Sequence, residues 1–326
     1  MPSEKPLTIR DLAKAARVSV ATVSRALNGR PGVSQATRER ILALAREWGF
    51  VPNASAREMV GMATTVGILF APGVRRHTPY FTLLLEALSE ALWREGLRVA
   101  EVEVDPKGKP RQEALGYILL GAHEGDRRVE ALSREGVPFV LVGVGEGIPW
   151  VAPEDVEGGY LATRHLLDLG HRTIAHLTGY PEHQAGRERL IGYRRALAEA
   201  GIPFREELVL DGAFDPLTAY RAVRKAWERG LRFTALFAAS DEMALGAWAA
   251  LEDLGVRVPE EVSLVGYDDL PEFGERLTTV RQDIPTIARK AVALLLEAQS
   301  RMPPRGLRVP VHLVVRGTTR RREVGA

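Results

Sequence analysis

The stretch SVATVSRALN, residues 19–28, decides how the rest of the chain is read. Wound at 3.6 residues per turn, it turns Ala21, Ser24, Arg25 and Asn28 away from the inner face. Val23, Ala26 and Leu27 are then aimed at a partner helix. Ser19 offers a hydroxyl to an otherwise orphaned backbone N–H, and Gly29 suits the left-handed conformation in which helices end. The outer face is small, polar and basic, a surface suited to the DNA major groove. Upstream, Thr8 caps a helix running to about Ala16, with Ile9, Leu12 and Ala13 inward. Only Arg17 and Val18 separate that helix from Ser19. Two helices joined by so tight a turn make a helix-turn-helix whose second member reads the base edges.

Amphipathic helix pairs also occur in proteins that never touch DNA, so periodicity leaves the matter open and charge narrows it. Residues 1–60 hold ten Lys/Arg against five acids, a net of +5, while the whole chain is +2. The remainder is therefore acidic, and the positive charge sits where the reading helix is, as in a nucleic-acid module. A third helix follows, capped by Ser34 and ended by Gly49. Its apolar stripe is Ile41, Leu42, Leu44, Ala45 and Trp48. A small core of Leu12, Val18, Val23, Leu27, Val33, Ile41 and Leu44 closes the three helices. Pro52 disfavours helix at Val51, and 51–62 reads on composition as a linker.

With 326 residues, 45% hydrophobic and 26% charged, the chain has the composition of a soluble globular protein with two or three core-bearing units. No apolar run reaches the roughly 18 residues of a membrane span. The start, MPSEKPLTIRD, has no apolar export segment, so a cytoplasmic protein without a membrane partner is expected. The absence of cysteine excludes disulfides, thiolate metal sites and a cysteine nucleophile. His165, His171 and His176 straddle a helix end and make no metal-ligand set. The glycine-rich GVGEG (143–147) is followed by Ile148-Pro149-Trp150 rather than a helix, so it lacks the geometry of a dinucleotide loop. No enzyme activity, cofactor or metal is expected.

From Thr64 onward, apolar runs of strand length alternate with amphipathic helices. Strands are expected at 65–70, 97–104, 116–121 and 137–143, with helices at 80–95 and 126–135. A second series follows: helix 156–169, strand 173–178, helix 186–200, strand 207–210, helix 215–229, strand 234–238, helix 241–254 and strand 261–266. Such alternation gives parallel sheets covered by helices. Ligands of open α/β sheets sit at the carboxyl ends of the strands, which makes a cleft between two such units the default site.

The run TIRDLAKAARVSVATVSRALNGRPGVSQATRERILALAREWGFVPNASA (8–56) resembles the head of the LacI/GalR family of bacterial repressors. Further landmarks are LGHRTIAHLTG (169–179), RLIGYRRAL (189–197), TALFAASDEMALGAWAALEDLGVRVPEEVSLVGYDD (234–269), LTTVRQD (277–283) and VHLVVRGTT (311–319). The resemblance spans roughly residues 7–320. It implies a small all-α helix-turn-helix head over 1–50, a hinge helix or linker over 51–62, and a two-lobed α/β domain over 63–326. That domain would be periplasmic-binding-protein-like, with parallel sheets, and would carry effector binding and dimerisation. Its first lobe would cover about 63–151 and 283–305, its second about 152–282 and 306–320.

The implied partners are a palindromic double-stranded DNA operator, a second copy of the chain, and a small polar effector such as a sugar or nucleoside. Val20, Ala21 and Arg25 would meet base edges. Thr8, Ser19, Thr22, Ser24, Asn28, Ser34 and Thr37 would lie near phosphates. Asn53, Ala56 and Met59 would form the minor-groove hinge, with Met59 where the family usually has leucine. Tyr80, Phe81, Arg189, Asp241 and Asp268 would face the effector. Core packing for the aromatics, a structural salt bridge for Arg189 and Asp268, and a helix cap for Asp241 are the competing roles. No leucine-heptad tail follows Arg322, so a dimer without a tetramerising appendage is expected.

Four departures stand out. Arg17 occupies a turn position where the family usually has glycine, at a cost on the order of 1 kcal/mol for a positive φ. PEDVEGG (153–159) and Arg276 replace the family's usual residues. The 105–116 segment is too short for the helix that normally joins the second and third strands. The first lobe should thus be trimmed, which either opens the cleft or leaves a sheet flank for something else to cover. These changes keep an effector-independent DNA binder in view. A solute-binding protein shares the body fold, but would need an export signal and no basic head.

Overall fold

The structure, a computed structural model, describes residues 9–27, 32–48 and 64–322. The head is three helices: α1 (Ile9–Ala16), α2 (Val20–Leu27) and α3 (Gln35–Glu47). Leu12, Val23 and Ile41 are fully buried at their junction with Ala13, Ala16, Ala26 and Ala45, and Val18, Val33 and Leu44 pack around them. Arg17 does adopt the left-handed conformation, at φ 51°. Arg40 secures that turn from α3, donating from Nη2 to the Ala16 carbonyl at 3.0 Å. Thr8, Asn28, the hinge residues Asn53, Ala56 and Met59, and the side chain of Leu27 lie outside what is described.

In the first series of the body strands and helices alternate except between β2 and β3 and between β4 and β5: β1 (Thr65–Phe70), α4 (Pro79–Arg94), β2 (Arg98–Glu101), β3 (Tyr117–Leu120), α5 (Arg127–Glu135), β4 (Phe139–Val142) and β5 (Trp150–Pro153). The second series is α6 (Asp155–Asp168), β6 (Ile174–Thr178), α7 (Gln184–Glu199), β7 (Val209–Asp211), α8 (Pro216–Glu228), β8 (Ala235–Ala238), α9 (Asp241–Asp253), β9 (Ser263–Asp268) and β10 (Thr278–Gln282). The chain then returns through α10 (Ile284–Gln299) and β11 (Gly306–Val309) before β12 (Val311–Val314).

Two six-stranded sheets result, ordered β11-β5-β4-β3-β1-β2 and β12-β10-β9-β8-β6-β7. Every pairing is parallel except β12 against β10. Buried strands such as Val66–Phe70 and Ala235–Ala238 are apolar on both faces because helices cover both. The chain passes between lobes after β5, β10 and β11. Two boundaries therefore differ from expectation: residues 152–153 and 306–309, placed in the second lobe on sequence, lie in β5 and β11, which pair in the first-lobe sheet. Four-residue strands such as WVAP and GLRV, carrying Pro or Gly, give too little pattern to be assigned before their partners are known.

Between β2 and β3 a single antiparallel bridge, Val104 to Pro110, replaces a helix. Asp105 Oδ1 accepts from the backbone N–H of Lys107 (2.8 Å) and Lys109 (2.9 Å), closing a tight turn. That turn sits on the start of α5. A Cβ on Gly108, which has φ +84°, would lie 2.4 Å from the Arg127 carbonyl carbon. The flank left bare by the missing helix is filled by side chains. Tyr117 lies over Gly67, where a Cβ would meet its ring at 2.5 Å, and donates its hydroxyl to Gln112 O at 2.6 Å. Beneath α5 the guanidinium of Arg128, 1% exposed, is held by Asp126 through Nε (2.9 Å) and Nη2 (2.6 Å). It also donates to the carbonyls of Leu69 and Leu120 at the ends of β1 and β3.

Candidate functional site

Two surfaces carry the candidate chemistry. On the head, α2 exposes Ala21 and Arg25, Val20 is 39% exposed and Thr22 is half-buried. Among the described residues Arg25 has no hydrogen-bond or ion-pair partner, so its five donors are available to a partner molecule. Ser24 departs from expectation: at 8% exposed it is packed inward, because the buried arc of the helix runs from Ala26 through Val23 to Ser24. The two helix starts carry matching hydroxyl pairs. Ser19 Oγ accepts from Thr22 N (3.1 Å) beside Thr22 Oγ1 (2.8 Å). Ser34 Oγ accepts from Thr37 N (3.3 Å) and donates to Thr37 Oγ1 (2.8 Å). Helix N-termini dressed this way favour an anion such as phosphate.

Between the lobes, at the carboxyl ends of both sheets, lies a cavity of about 150 Å³. Tyr80, Phe81, Arg189 and Asp268 line it. Phe81 is also a core residue, edge-on to Phe70 at 5.2 Å between ring centroids and packed on the first-lobe core. Arg189 is 4% exposed; Nε donates to Asp155 (2.8 Å), Nη1 to Ala239 O, and Asp268 stands 3.8 Å away. Its guanidinium stacks 3.6 Å above the Tyr267 ring. Burial alone would lower its pKa, but Asp155, Tyr267 and Asp268 hold it above the usual arginine range. Asp268, at φ 121°, ends β9 in a conformation rare outside glycine, and burial pushes its carboxyl well above the usual range.

Asp241 is set back from the cavity. It accepts from Thr279 Oγ1 (2.6 Å) and Leu270 N (2.8 Å), tying α9 to β10 and the turn after β9. Ser240 caps α9 instead, accepting from Met243 N at 3.2 Å. Ser240 and Glu242, its neighbours on either side, face the cavity, as do Gln184, Phe214 and Gln282. Sequence reasoning missed all five. The signal for one was present, since serine before an acidic first turn is an ordinary cap, and a cap at Ser240 leaves Asp241 in the helix.

The cleft is clasped by contacts between the lobes. Val144 N donates to Gln184 Oε1, Arg308 grips Glu188 through both terminal nitrogens (2.6 and 2.7 Å), and Arg75 pairs with Asp215 across the mouth. A backbone bridge joins His123 to His183. Of the other histidines, His176 is stacked between Tyr193 and Phe237, and burial lowers it to about 4. His165 meets Thr319, and His171 meets Thr234. Among the described residues no helix is long and apolar enough to cross a membrane.

Known proteins match both surfaces. Residues 8–53 match the bacterial regulatory proteins of the lacI family, and 163–319 the periplasmic binding protein-like domain. The HTH-type transcriptional repressor PurR of Erwinia tasmaniensis is 32% identical over 89% of this chain and 89% of its own length. The HTH-type transcriptional regulator CelR of Thermobifida fusca is 35% identical over 95% of this chain and 97% of its own. Among solved structures, a CelR–cellobiose complex is 32% identical, covers 96% of this chain and 99% of that one, and superposes with a TM-score of 0.73. The lac repressor dimer bound to operator and the anti-inducer ONPF is 27% identical, covers 97% and 100%, and has a TM-score of 0.69. The chain thus belongs to the LacI family of bacterial transcriptional regulators, and it is a DNA-binding regulator rather than an enzyme.

Proposed function

We propose that this regulator is a cytoplasmic repressor that binds a palindromic operator as a homodimer, its affinity set by a small polar effector held between the lobes. The observation that carries the DNA half is Arg25, a guanidinium without a partner among the described residues, on the exposed side of α2 beside Val20 and Ala21. Arginine alone among these three can grip guanine O6 and N7 together, while Val20 and Ala21 offer apolar contact such as to a thymine methyl. Ser19, Thr22, Ser34 and Thr37 supply phosphate contacts at two helix N-termini, and Thr8 and Asn28 extend that line in sequence. Ser24, packed inward, contributes to register more than to phosphate binding. The hinge role of Asn53, Ala56 and Met59 rests on the family resemblance: an unbranched apolar Met59 would wedge into a deformable central pyrimidine–purine step.

The effector half is supported by the cavity and by relatives, one solved with cellobiose and another LacI-family regulator from Enterococcus faecium with ribose. Tyr80 and Phe81 would stack on the ligand, with Arg189 and Asp268 fixing its orientation. A ligand that favours one angle between lobes shifts the hinge segments of two protomers and so the operator affinity.

Arg25→Ala is expected to lose about 1–3 kcal/mol of discrimination at one base pair per half-site. Selection of bound sequences from a random pool, followed by competition titrations at fixed salt, measures it. Retention of full discrimination by the variant would remove Arg25 from the reading role. Absence of any sequence preference in the parent protein would end the proposal.

A further inference from the structure

We propose that the cleft selects a single-ring solute carrying a protonated amino group, recognised by Glu242 and Gln282. This rests on the effector reading above and adds the ligand's size and charge. Size follows from the cavity, whose roughly 150 Å³ falls below the ~300–1,000 Å³ of sites that hold drug-sized ligands. A single ring suits that volume.

Charge follows from pairing the donors and acceptors of the wall. Each arginine and each amide of the wall already has a partner within the protein. Arg189 donates to Asp155 and Ala239 O, Arg75 to Asp215, Gln184 Nε2 to Glu188 (2.8 Å), and Gln282 Nε2 to Asp268 (2.6 Å). Two acceptors among the lining residues have no such partner. Gln282 is 4% exposed and its Oε1 has no partner among the described residues. Glu242 is 9% exposed and lines the cavity, with neither a hydrogen bond nor an ion pair among the described residues. The charged groups around it are Arg75, Asp215, Glu272 and, across the cavity, Asp268. Arg75 and Arg189 each have a carboxylate of their own, which leaves Glu242 and Asp268 in excess.

A buried carboxylate without a partner is unfavourable until a cation joins it. Desolvation raises Glu242 to about 7. An ammonium group brings three donors and the missing positive charge, and the faces of Tyr80, Phe81 and Phe214 suit a cation. A neutral ring would satisfy Gln282 and leave the carboxyl surplus; an anion would meet repulsion.

Calorimetric titration of the full-length protein at pH 7 with glucosamine, galactosamine, cyclohexylamine, glucose, N-acetylglucosamine and adenine tests this. At least one of the three amines should bind about tenfold or more tighter than every neutral probe, as a charge-assisted contact requires. Glu242→Gln should melt no lower than the parent and bring that amine to within about threefold of glucose. Neutral probes binding as tightly as the amines, or an amine preference that survives Glu242→Gln, would overturn the charge assignment and leave the effector reading standing. Silence from all three amines while a cell metabolite extract still shifts operator affinity would overturn it in the same way. An extract without effect on operator affinity would instead remove the effector reading itself.

Discussion

The two lobes share one strand order and differ in how a single flank is closed. In each sheet the first strand lies between the second and third, and the fourth, fifth and last strands follow outward. The second lobe follows its edge strand β7 with α8, a 13-residue helix whose Ala219 and Val223 are buried in the core. The first lobe follows β2 with a bridged turn. Its flank is closed by Tyr117, Leu119, Phe139 and Leu132 around the Arg128–Asp126 pair. A helix spreads its contribution over many apolar contacts. The trimmed flank concentrates the same task in a few side chains, one of them charged, so single substitutions should weigh more there.

The largest effect is expected at Arg128. Its removal leaves Asp126 buried and takes the donor from two strand-end carbonyls. Arg128→Ala should cost about 3–5 kcal/mol in urea unfolding, the range for breaking a buried pair from one side. Arg189→Met in the second lobe should cost a similar amount by leaving Asp155 alone, and should also abolish the effector response, which Arg128→Ala should leave in the surviving folded fraction. A loss at Arg128 below about 1 kcal/mol would mean the flank is held by its apolar residues, and the contrast between lobes would dissolve.

Gly108 comes next. Its φ of +84° and its approach to the Arg127 backbone both exclude a side chain. Gly108→Ala should destabilise the protein by about 2 kcal/mol, combining left-handed strain with displacement of the turn from α5. Gly201, with φ +67° and open space around it, is the control from the second lobe. Gly201→Ala should cost only the conformational part, about 1 kcal/mol.

How much of this was legible follows from what each feature depends on. The head was readable because its signals are local: period, caps and a tight turn lie within 40 residues. The left-handed Arg17 followed from the resemblance, because the family usually has glycine at that position, and the observed φ of 51° agrees. Ser24 was misplaced because α2 is buried over a wider arc than a two-helix contact implies. The missing helix was visible as a shortage of residues, yet nothing local says that Tyr117 and Arg128 fill the gap. That depends on Gly67 and on strand-end carbonyls far away in sequence. The cleft followed the same rule. Arg189 and Asp268 lie in recognisable runs, whereas Gln184, Glu242 and Gln282 matter only because separate elements bring them to one cavity. Asp241 was drawn in by adjacency, and its engagement with Thr279 explains its displacement.

A smaller, pH-dependent difference should separate the lobes. Burial raises Glu242 from its ordinary 4.5 to about 7, with Arg75 opposing and Asp215 and Glu272 adding to the shift. The folded protein therefore binds more protons than the unfolded chain between those values, and this contribution to stability is full below 4.5 and lost as pH rises through 7. Glu242→Gln mimics the neutral form. Its stability relative to the parent should rise by about 1–3 kcal/mol from pH 4.5 to 7.5 in paired denaturant titrations. A constant difference across that range would show that Glu242 is paired in solution.

The smallest effect is expected at the Tyr117 hydroxyl. It donates to Gln112 O at 2.6 Å and so pins the loop that stands in for the helix, while the ring itself covers Gly67. Tyr117→Phe keeps the ring and removes one hydrogen bond, which should cost about 1 kcal/mol of global stability. Hydrogen exchange separates the two roles. Amides of 103–112 should lose protection in the variant while those of β1 and β3 keep theirs, since the ring still covers the sheet. Equal loss in the strands would mean that loop and sheet open together, making the bridged turn as much a part of the first-lobe core as α8 is of the second.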